Sequence, residues 1–168
     1  MSLETIKSLI KQRRHDEALE ACNQLTESQP ELKYEVMRQR SYLYAGQAEY
    51  RAAVKDLSSM IDTGQANLSD YNSAALWALC DGQLEQALEW LLIALKMGEE
   101  QNEEWFRSEE LCLVAYIYME LGEYEKAMSF LNKDESDDKD TSFFVPNKGF
   151  CEITDLRAEI ERRNCEIK

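Results

Sequence analysis

The sequence predicts an all-α fold, an α-solenoid of about four helix-turn-helix repeats with a C-terminal capping helix. One observation is that two decapeptides share a pattern, GQLEQALEWL at residues 82–91 and GEYEKAMSFL at residues 122–131. Another is that their alanines belong to a series with spacings of 35, 34 and 40 residues, formed by Ala18, Ala53, Ala87 and Ala127. A period of about 34 residues that holds two short amphipathic helices is typical of stacked helix pairs.

A second series marks the first helix of each pair. About a dozen residues before each alanine stands a small or apolar residue: Ile6, Ser41, Ala75 and Ala115. Small side chains let two helix backbones approach closely. Gly82 and Gly122 lie where the first helix must end and turn. We therefore predict one domain, 1–168, with repeats at 2–32, 35–66, 69–100 and 109–134 and an acidic insertion at 99–108 that lengthens the last spacing.

These residues resemble the tetratricopeptide repeat family, as a small standalone member. The segment AYIYMELGEYEKA at 115–127 shows the family's order of a small residue, Tyr, Gly, Tyr and Ala. The first copy departs from it, with Ile6 and Arg13 where the family prefers a small residue and glycine. The resemblance implies a right-handed solenoid, in which the first helices of the repeats line a concave surface that binds a protein or peptide.

The chain after the repeats is predicted as a loop at 134–149 and a capping helix at 150–168. The apolar residues of the capping segment recur at helical spacing opposite a charged face: Ile153, Leu156 and Ile160. The loop region also brings Phe143, Phe144 and Phe150 close together in the sequence. Two interpretations are open: the rings fold back onto the stack, or they form a hydrophobic contact with a partner or a second copy.

Acidic residues are concentrated in the middle of the chain. The net charge is −14, and residues 61–140 alone hold 19 acidic and five basic residues. Such a stretch either forms a solvated face or attracts a basic partner. Binding of nucleic acid through phosphates is disfavoured, because it needs clustered Lys and Arg. If a basic partner binds here, the candidate contacts are Glu99, Glu100, Glu103, Glu104 and Glu110.

The sequence gives little support for an enzyme, a metal site or a bound cofactor. His15 is the one histidine, and no glycine-rich phosphate-binding loop is present. His15 and Cys22 could share a helix face as a dyad, but both occupy core positions of the repeat, where packing is the better interpretation. The five cysteines are widely spaced, which favours reduced thiols. No apolar run approaches the length of a membrane-spanning helix and no signal-peptide core opens the sequence, so we expect a cytoplasmic protein.

The resemblance places specific side chains on the concave surface. The candidate groove residues are Glu35, Arg38, Tyr42, Asn72, Leu76, Cys80, Glu109, Cys112 and Tyr116. The alternative is that they pack against the second helices, above all Leu76, Cys80 and Cys112. Many family members bind acidic chaperone C-termini through a basic clamp, and that clamp is absent at the corresponding positions, which include Gln39, Ser69 and Ser73. We therefore expect a basic or apolar ligand.

Three hypotheses for function follow. The chain could hold a single, basic protein partner inactive or unaggregated, as bacterial immunity proteins and secretion chaperones do. It could instead be a general scaffold or assembly factor that binds several partners. It could also be a regulator that senses a peptide, although no DNA-reading helix-turn-helix precedes the repeats. The first is favoured by the charge, and the oligomeric state is left open by all three.

Overall fold

The computed structural model of the chain describes residues 1–103, 106–133, 142–146 and 148–166. These ranges contain helices α1 Leu3–Lys11, α2 His15–Ser28, α3 Lys33–Gly46, α4 Tyr50–Asp62, α5 Leu68–Cys80, α6 Leu84–Gln101, α7 Arg107–Glu120, α8 Tyr124–Leu131 and α9 Ile153–Glu166. A short 3-10 helix spans Pro30–Leu32, and two strands, β1 Ser142–Val145 and β2 Gly149–Glu152, form a hairpin. The predicted all-α class is confirmed.

The chain divides into two compact units, Met1–Asp81 and Gly82–Lys168. The first, called unit 1 below, contains α1 to α5, and the second, unit 2, contains α6 to α9 and the hairpin. The predicted repeats at 2–32 and 35–66 fall in unit 1, and the fourth repeat falls in unit 2. The single domain over 1–168 stays a prediction.

The turn that ends the first helix of a pair has the same backbone geometry in all four predicted repeats. Gly82 and Gly122 have φ values of +78° and +79°, which confirms the turns predicted there. Arg13 and Ala48 take the corresponding place in the first two repeats, with φ values of 58° and 60°. The left-handed conformation costs a residue with a Cβ atom about 1–2 kcal/mol, so these two turns are strained where the later two are not.

The core of unit 1 forms around the small residues of the repeat. Ala18, Ser41 and Ala53 have no exposed surface, and Ala75 has 1%. One cluster of buried residues joins α1, α2 and α3: Ile6, Ala18, Ala21, Cys22, Leu25, Val36 and Leu43. Ser41 can be buried because its hydroxyl donates to the carbonyl oxygen of Arg38 at 2.8 Å. The predicted positions of close helix approach therefore lie in the core.

Two polar links also join the helices of unit 1. Arg40 on α3 donates to both carboxylate oxygens of Asp56 on α4, at 2.7 and 2.8 Å, and to Asn23 on α2 at 3.1 Å. Asp56 is only 6% exposed, so its charge requires this compensation. A similar pair between Arg38 and Asp70 is described with the candidate surface below.

In unit 2 the predicted acidic insertion begins as a continuation of α6. The helix runs to Gln101, so Glu99 and Glu100 are helical, and it ends in a left-handed residue, Asn102. Gly98 is buried, and a Cβ atom there would lie 3.0 Å from the carbonyl oxygen of Glu103. The extension is longer than the repeat alone predicts because Leu95 and Gly98 keep its last turns on the core.

The region predicted as a loop over 134–149 contains a hairpin where the structure describes it, at 142–146 and 148–149; residues 134–141 and 147 lie outside the described residues. The strands are antiparallel, with Phe144 opposite Phe150. Phe143 and Val145 are buried on one face, while Phe144 and Phe150 point to the other. A loop was therefore the wrong prediction for Ser142–Val145, because these residues alternate between exposed and buried with the period of a strand.

The capping helix begins at Ile153, after β2, and not at residue 150 as the sequence predicts. Leu156 and Ile160 are buried, as their spacing indicates. Arg163 on the same helix lies 3.3 Å from Glu120 on α7. The helix thus packs on unit 2 through its apolar stripe and carries ion pairs at its margin.

Candidate protein-binding surfaces

Unit 1 carries six of the nine groove residues that partner binding was predicted to use, and they lie on two helices. Glu35, Arg38 and Tyr42 are on α3, and Asn72, Leu76 and Cys80 are on α5. Glu35 is exposed, Tyr42 is 40% exposed, and the other four are half-buried. These side chains form the surface that we call the α3/α5 face.

Arg38 and Asp70 join α3 to α5 beneath this face. The guanidinium donates two hydrogen bonds to the carboxylate, at 2.6 and 2.7 Å. The same carboxylate accepts from the backbone N–H of Asn67 at 3.0 Å, which makes it half of a capping box at the start of α5. The hydrogen bond to Asp70 raises the pKa of Arg38 above its usual range. Arg38 therefore links α3 to α5 through Asp70. The sequence predicted a partner contact at Arg38 and did not predict this link.

An aromatic cluster lies beside this pair. The hydroxyls of Tyr42 and Ser73 are 3.0 Å apart, and the rings of Tyr42 and Trp77 meet edge to face at 6.3 Å. Tyr50 on α4 stacks on Trp77 at the same centroid distance. Burial raises the pKa of the neighbouring Cys80 thiol, so Cys80 is protonated at neutral pH. The cluster offers flat apolar area with hydroxyl groups at its margin.

Two polar side chains on α5 have buried atoms without hydrogen-bond partners among the described residues. These are both amide atoms of Asn72 and the indole nitrogen of Trp77. A buried polar group without a partner costs about 1–3 kcal/mol. A ligand that reached these groups with complementary atoms would recover part of that cost, so they are the strongest polar feature of the α3/α5 face.

An open cavity of about 370 Å³ adds a feature that the sequence analysis missed. It lies between α1 and α3, and two lysines are among the residues that line it: Glu4, Lys7, Ser8, Ile10, Lys11 and Gln39. Lys7 is already paired with Glu4 at 2.9 Å. The spacing of Lys7 and Lys11, one helical turn apart, was the signal that could have indicated a shared basic edge.

The groove residues predicted in unit 2 are mostly covered. Cys112 has no exposed surface and Tyr116 has 8%, whereas Glu109 is exposed. Lys148, which follows β1, lies with its Nζ atom 4.7 Å from the centre of the Tyr116 ring and 3.3 Å from Glu120. The hairpin therefore occupies the side of α7 on which Tyr116 lies, and the prediction that Cys112 and Tyr116 are open to a partner is corrected.

The predicted acidic contacts have different environments. Glu99 is paired with Arg107 at 2.8 Å and Glu100 with Lys96 at 3.8 Å, and both remain largely exposed. Glu103 is exposed as well. Glu110 is 5% exposed because α7 is buried on several sides, so it is corrected from a surface contact to a core residue. Glu104 lies outside the described residues.

The acid excess belongs almost entirely to unit 2. Residues 1–81 hold 12 acidic and nine basic residues, a net charge of 9 − 12 = −3. Residues 82–168 hold 21 acidic and ten basic residues, a net charge of 10 − 21 = −11. The two units therefore differ in charge, since unit 1 is nearly neutral and unit 2 is strongly acidic.

Comparisons with known proteins agree with this fold. The family model of the tetratricopeptide repeat matches residues 111–133, in α7 and α8. A tetratricopeptide repeat protein from Parabacteroides merdae is similar in structure, with a TM-score of 0.77 and 16% identity over 98% of this chain and 59% of that chain. The chain therefore has the tetratricopeptide repeat fold, and residues 111–133 match that repeat. The resemblance seen in the sequence is confirmed.

A second tetratricopeptide repeat structure is similar over nearly the whole of this chain. It contains the nearly identical TPR-like repeats assigned to a kinesin light chain of Podosopora anserina, with a TM-score of 0.68, 15% identity, and coverage of 97% of this chain and 85% of that chain. No curated protein sequence matches significantly. At these identities the likeness shows the fold, and this chain spans less than two thirds of the Parabacteroides protein.

Cys22, one half of the dyad considered from the sequence, has no exposed surface. Burial raises the pKa of Cys22, the candidate partner of His15, to about 11. Within the residues the structure describes, no group of three or more His, Cys, Asp or Glu could hold a metal ion. Those residues also include no helix that is both long and apolar enough to span a membrane. The fold indicates a module for protein–protein interaction.

Proposed function

We propose that this protein is a non-enzymatic, cytoplasmic binding protein that holds one basic protein partner, as an immunity protein or a secretion chaperone does. The observation that carries the proposal is the charge of unit 2, with a net value of −11 against −3 in unit 1. A concentrated acidic surface accelerates encounter with a basic protein and disfavours acidic ones. The thiols Cys22, Cys80, Cys151 and Cys165 are free, which fits a reducing compartment.

The exposed carboxylates at the end of α6 and the start of α7 are the proposed first contact. Glu99, Glu103 and Glu109 are exposed, and the first is only partly neutralised by its pair with Arg107. Contacts of this kind change the association rate and the salt dependence more than the final affinity. The proposed contact is therefore recognised by its sensitivity to salt.

The α3/α5 face is proposed to supply the second kind of contact. Tyr42 and Leu76 offer apolar area, and the hydroxyl groups of Tyr42 and Ser73, 3.0 Å apart, lie at its margin. Aromatic side chains surrounded by hydrogen-bonding groups are typical of interface centres. A peptide segment of the partner fits this chemistry.

The alternative is a general scaffold or assembly factor, for which the same α3/α5 face would receive several partners. Its binding would depend on apolar contacts and would change little with salt. A peptide-sensing regulator is the third hypothesis, and it would need the α3/α5 face without the acidic surface.

The test is affinity capture from a native lysate with three tagged proteins. The first is the wild type, the second carries Glu99→Lys, Glu103→Lys and Glu109→Lys, and the third reverses three exposed carboxylates of unit 1: Glu20→Lys, Glu27→Lys and Glu31→Lys. The control changes the net charge by the same amount in the other unit. Bound proteins are washed at low and high salt, since the screening length falls from about 8 Å at 0.15 M to about 3 Å at 1 M.

A single stoichiometric basic protein that is captured by the wild type and the control, and lost from the unit 2 variant and at high salt, is the expected result. Several partners that persist at high salt would favour the scaffold. Equal loss from both charge-reversed proteins would contradict a located acidic contact, because net charge alone would then explain the binding.

A further inference from the structure

The hairpin of unit 2 has one buried face and one open aromatic face. Phe143 and Val145 are at most 1% exposed, so they fix the hairpin on the unit. Phe144 is 39% exposed and Phe150 is 78% exposed, and their rings meet edge to face at 5.7 Å. The sequence left open whether all three phenylalanines pack inward, and the structure divides them, one inward and two outward.

The register places an acidic side chain on the same open face. Ser142 pairs with Glu152 and Phe144 pairs with Phe150, so these four residues share one side of the hairpin. Glu152 is exposed. The open face therefore combines two phenylalanine rings with one carboxylate on a two-stranded hairpin.

Three other aromatic rings of unit 2 show what this chain places over such rings. Lysine ammonium groups lie over Tyr118, Phe130 and Tyr116, at 5.3, 4.0 and 4.7 Å from the ring centres. Among the described residues no lysine or arginine lies over Phe144 or Phe150. The two open rings of the hairpin thus have no lysine or arginine from the described part of the chain over them, and a cation is attracted to an aromatic face.

We propose that the open face of the hairpin, formed by Phe144, Phe150 and Glu152, binds a partner segment in which a lysine or arginine adjoins an apolar side chain. The cation lies over a ring and pairs with Glu152, and the apolar side chain packs against the second ring. A second copy of the chain is disfavoured as the occupant, because two copies of unit 2 would bring together net charges of −11 each. This contact goes beyond the proposed function, since it is separate from the carboxylates at residues 99–109.

The test uses the full chain and three short synthetic peptides. One alternates lysine and leucine, one replaces each lysine with glutamate, and one replaces each leucine with serine. Binding is measured by fluorescence anisotropy to the wild type, to Phe144→Ser/Phe150→Ser, and to Phe106→Ser. Phe106 is 53% exposed in unit 2 outside the hairpin, so it controls for the loss of an exposed ring.

We expect the lysine–leucine peptide to bind best and the double serine variant to weaken it about tenfold, while Phe106→Ser leaves it unchanged. Phe144→Tyr/Phe150→Tyr should retain binding, since it keeps both rings. Circular dichroism of each variant, and the single change Phe150→Ser, separate loss of contact from loss of the hairpin. Equal affinity of wild type and a folded double serine variant would overturn the proposal.

Two further results bear on the occupant. A dimer of the wild type in sedimentation velocity that Phe144→Ser/Phe150→Ser abolishes would assign the face to a second copy and overturn the proposed partner. Equal binding of the lysine–serine peptide would show that charge alone suffices, which also overturns it. Because the carboxylates at 99, 103 and 109 are untouched, failure here leaves the salt-sensitive contact of the proposed function to be judged by its own variants.

Discussion

Replacing Arg38 should lower the free energy of unfolding more than replacing its partner Asp70. The side chain of Asp70 is 1% exposed and that of Arg38 is 26% exposed. In Arg38→Met a carboxylate remains buried with only the capping-box N–H of Asn67 as a hydrogen-bond donor. In Asp70→Asn the guanidinium can turn toward solvent, and the amide preserves the shape of the lost group. Because Asp70 is more buried than Arg38, we expect Arg38→Met to destabilise the protein more than Asp70→Asn does.

The magnitudes follow from these environments. Removing one partner of a fully buried pair costs about 3–5 kcal/mol. Because Arg38 is partly exposed, we expect about 3 kcal/mol for Arg38→Met and about 1.5–2 kcal/mol for Asp70→Asn, which includes the weakened cap. The double variant should cost about 2 kcal/mol, which gives a coupling energy of about 2–3 kcal/mol.

The assay is urea unfolding followed by circular dichroism and by tryptophan fluorescence. The two probes are needed because two compact units can unfold separately, and Trp77 is the tryptophan of unit 1. The pair Arg51–Asp81 provides the control: it is also in unit 1, its N···O distance is 3.4 Å, and the Arg51 side chain is 87% exposed. Its coupling should be at most about 0.5 kcal/mol. Equal couplings for the two pairs, or a larger cost for Asp70→Asn than for Arg38→Met, would refute the reasoning.

Two other predictions concern the turns and the buried thiol. Ala48→Gly should raise the free energy of unfolding, measured by urea titration, by about 0.5–1 kcal/mol, because glycine removes the strain at φ 60°. Gly82→Ala, at φ +78°, should lower the free energy of unfolding. A change of the same sign in both variants would contradict this account. Burial raises the folded-state pKa of Cys22 from 9.0 to about 11, so its contribution is intact below pH 9 and is lost as the pH rises toward 11. The wild type should therefore lose about 2–3 kcal/mol more than Cys22→Val between pH 8 and pH 11, and parallel losses would show that another group titrates.

The helical repeat could be predicted from the sequence because it depends on contacts between residues that are close together in the chain. Ala18, Ala53 and Ala127 have no exposed surface, and Gly122 adopts the positive φ that its position in the pattern requires. The departure at Arg13 was visible as well, and the structure shows that the backbone keeps the same turn at the cost of strain. Burial and turn conformation at positions that depend on contacts within one helix pair can therefore be predicted from residue spacing alone.

The candidate site was predicted less completely, since it depends on segments distant in the sequence. Tyr116 belongs to the repeat pattern, but whether it is open depends on Lys148, which the repeat does not include. Arg38 looked like a free groove cation until Asp70, 32 residues later, proved to be its partner. Glu110 is buried because of the packing around α7, which no run of acidic residues indicates.

The hairpin changes which side chains of unit 2 are exposed on this fold. By packing Phe143 inward and holding Lys148 over Tyr116, it covers a side of α7 that the resemblance assigned to a ligand. The same two strands turn Phe144 and Phe150 outward. One short segment thus covers a predicted contact and carries the two rings that we propose as another contact in the same unit. Because the inward residues hold the outward ones in place, a change that frees the hairpin should open Tyr116 and weaken binding at the phenylalanine pair together.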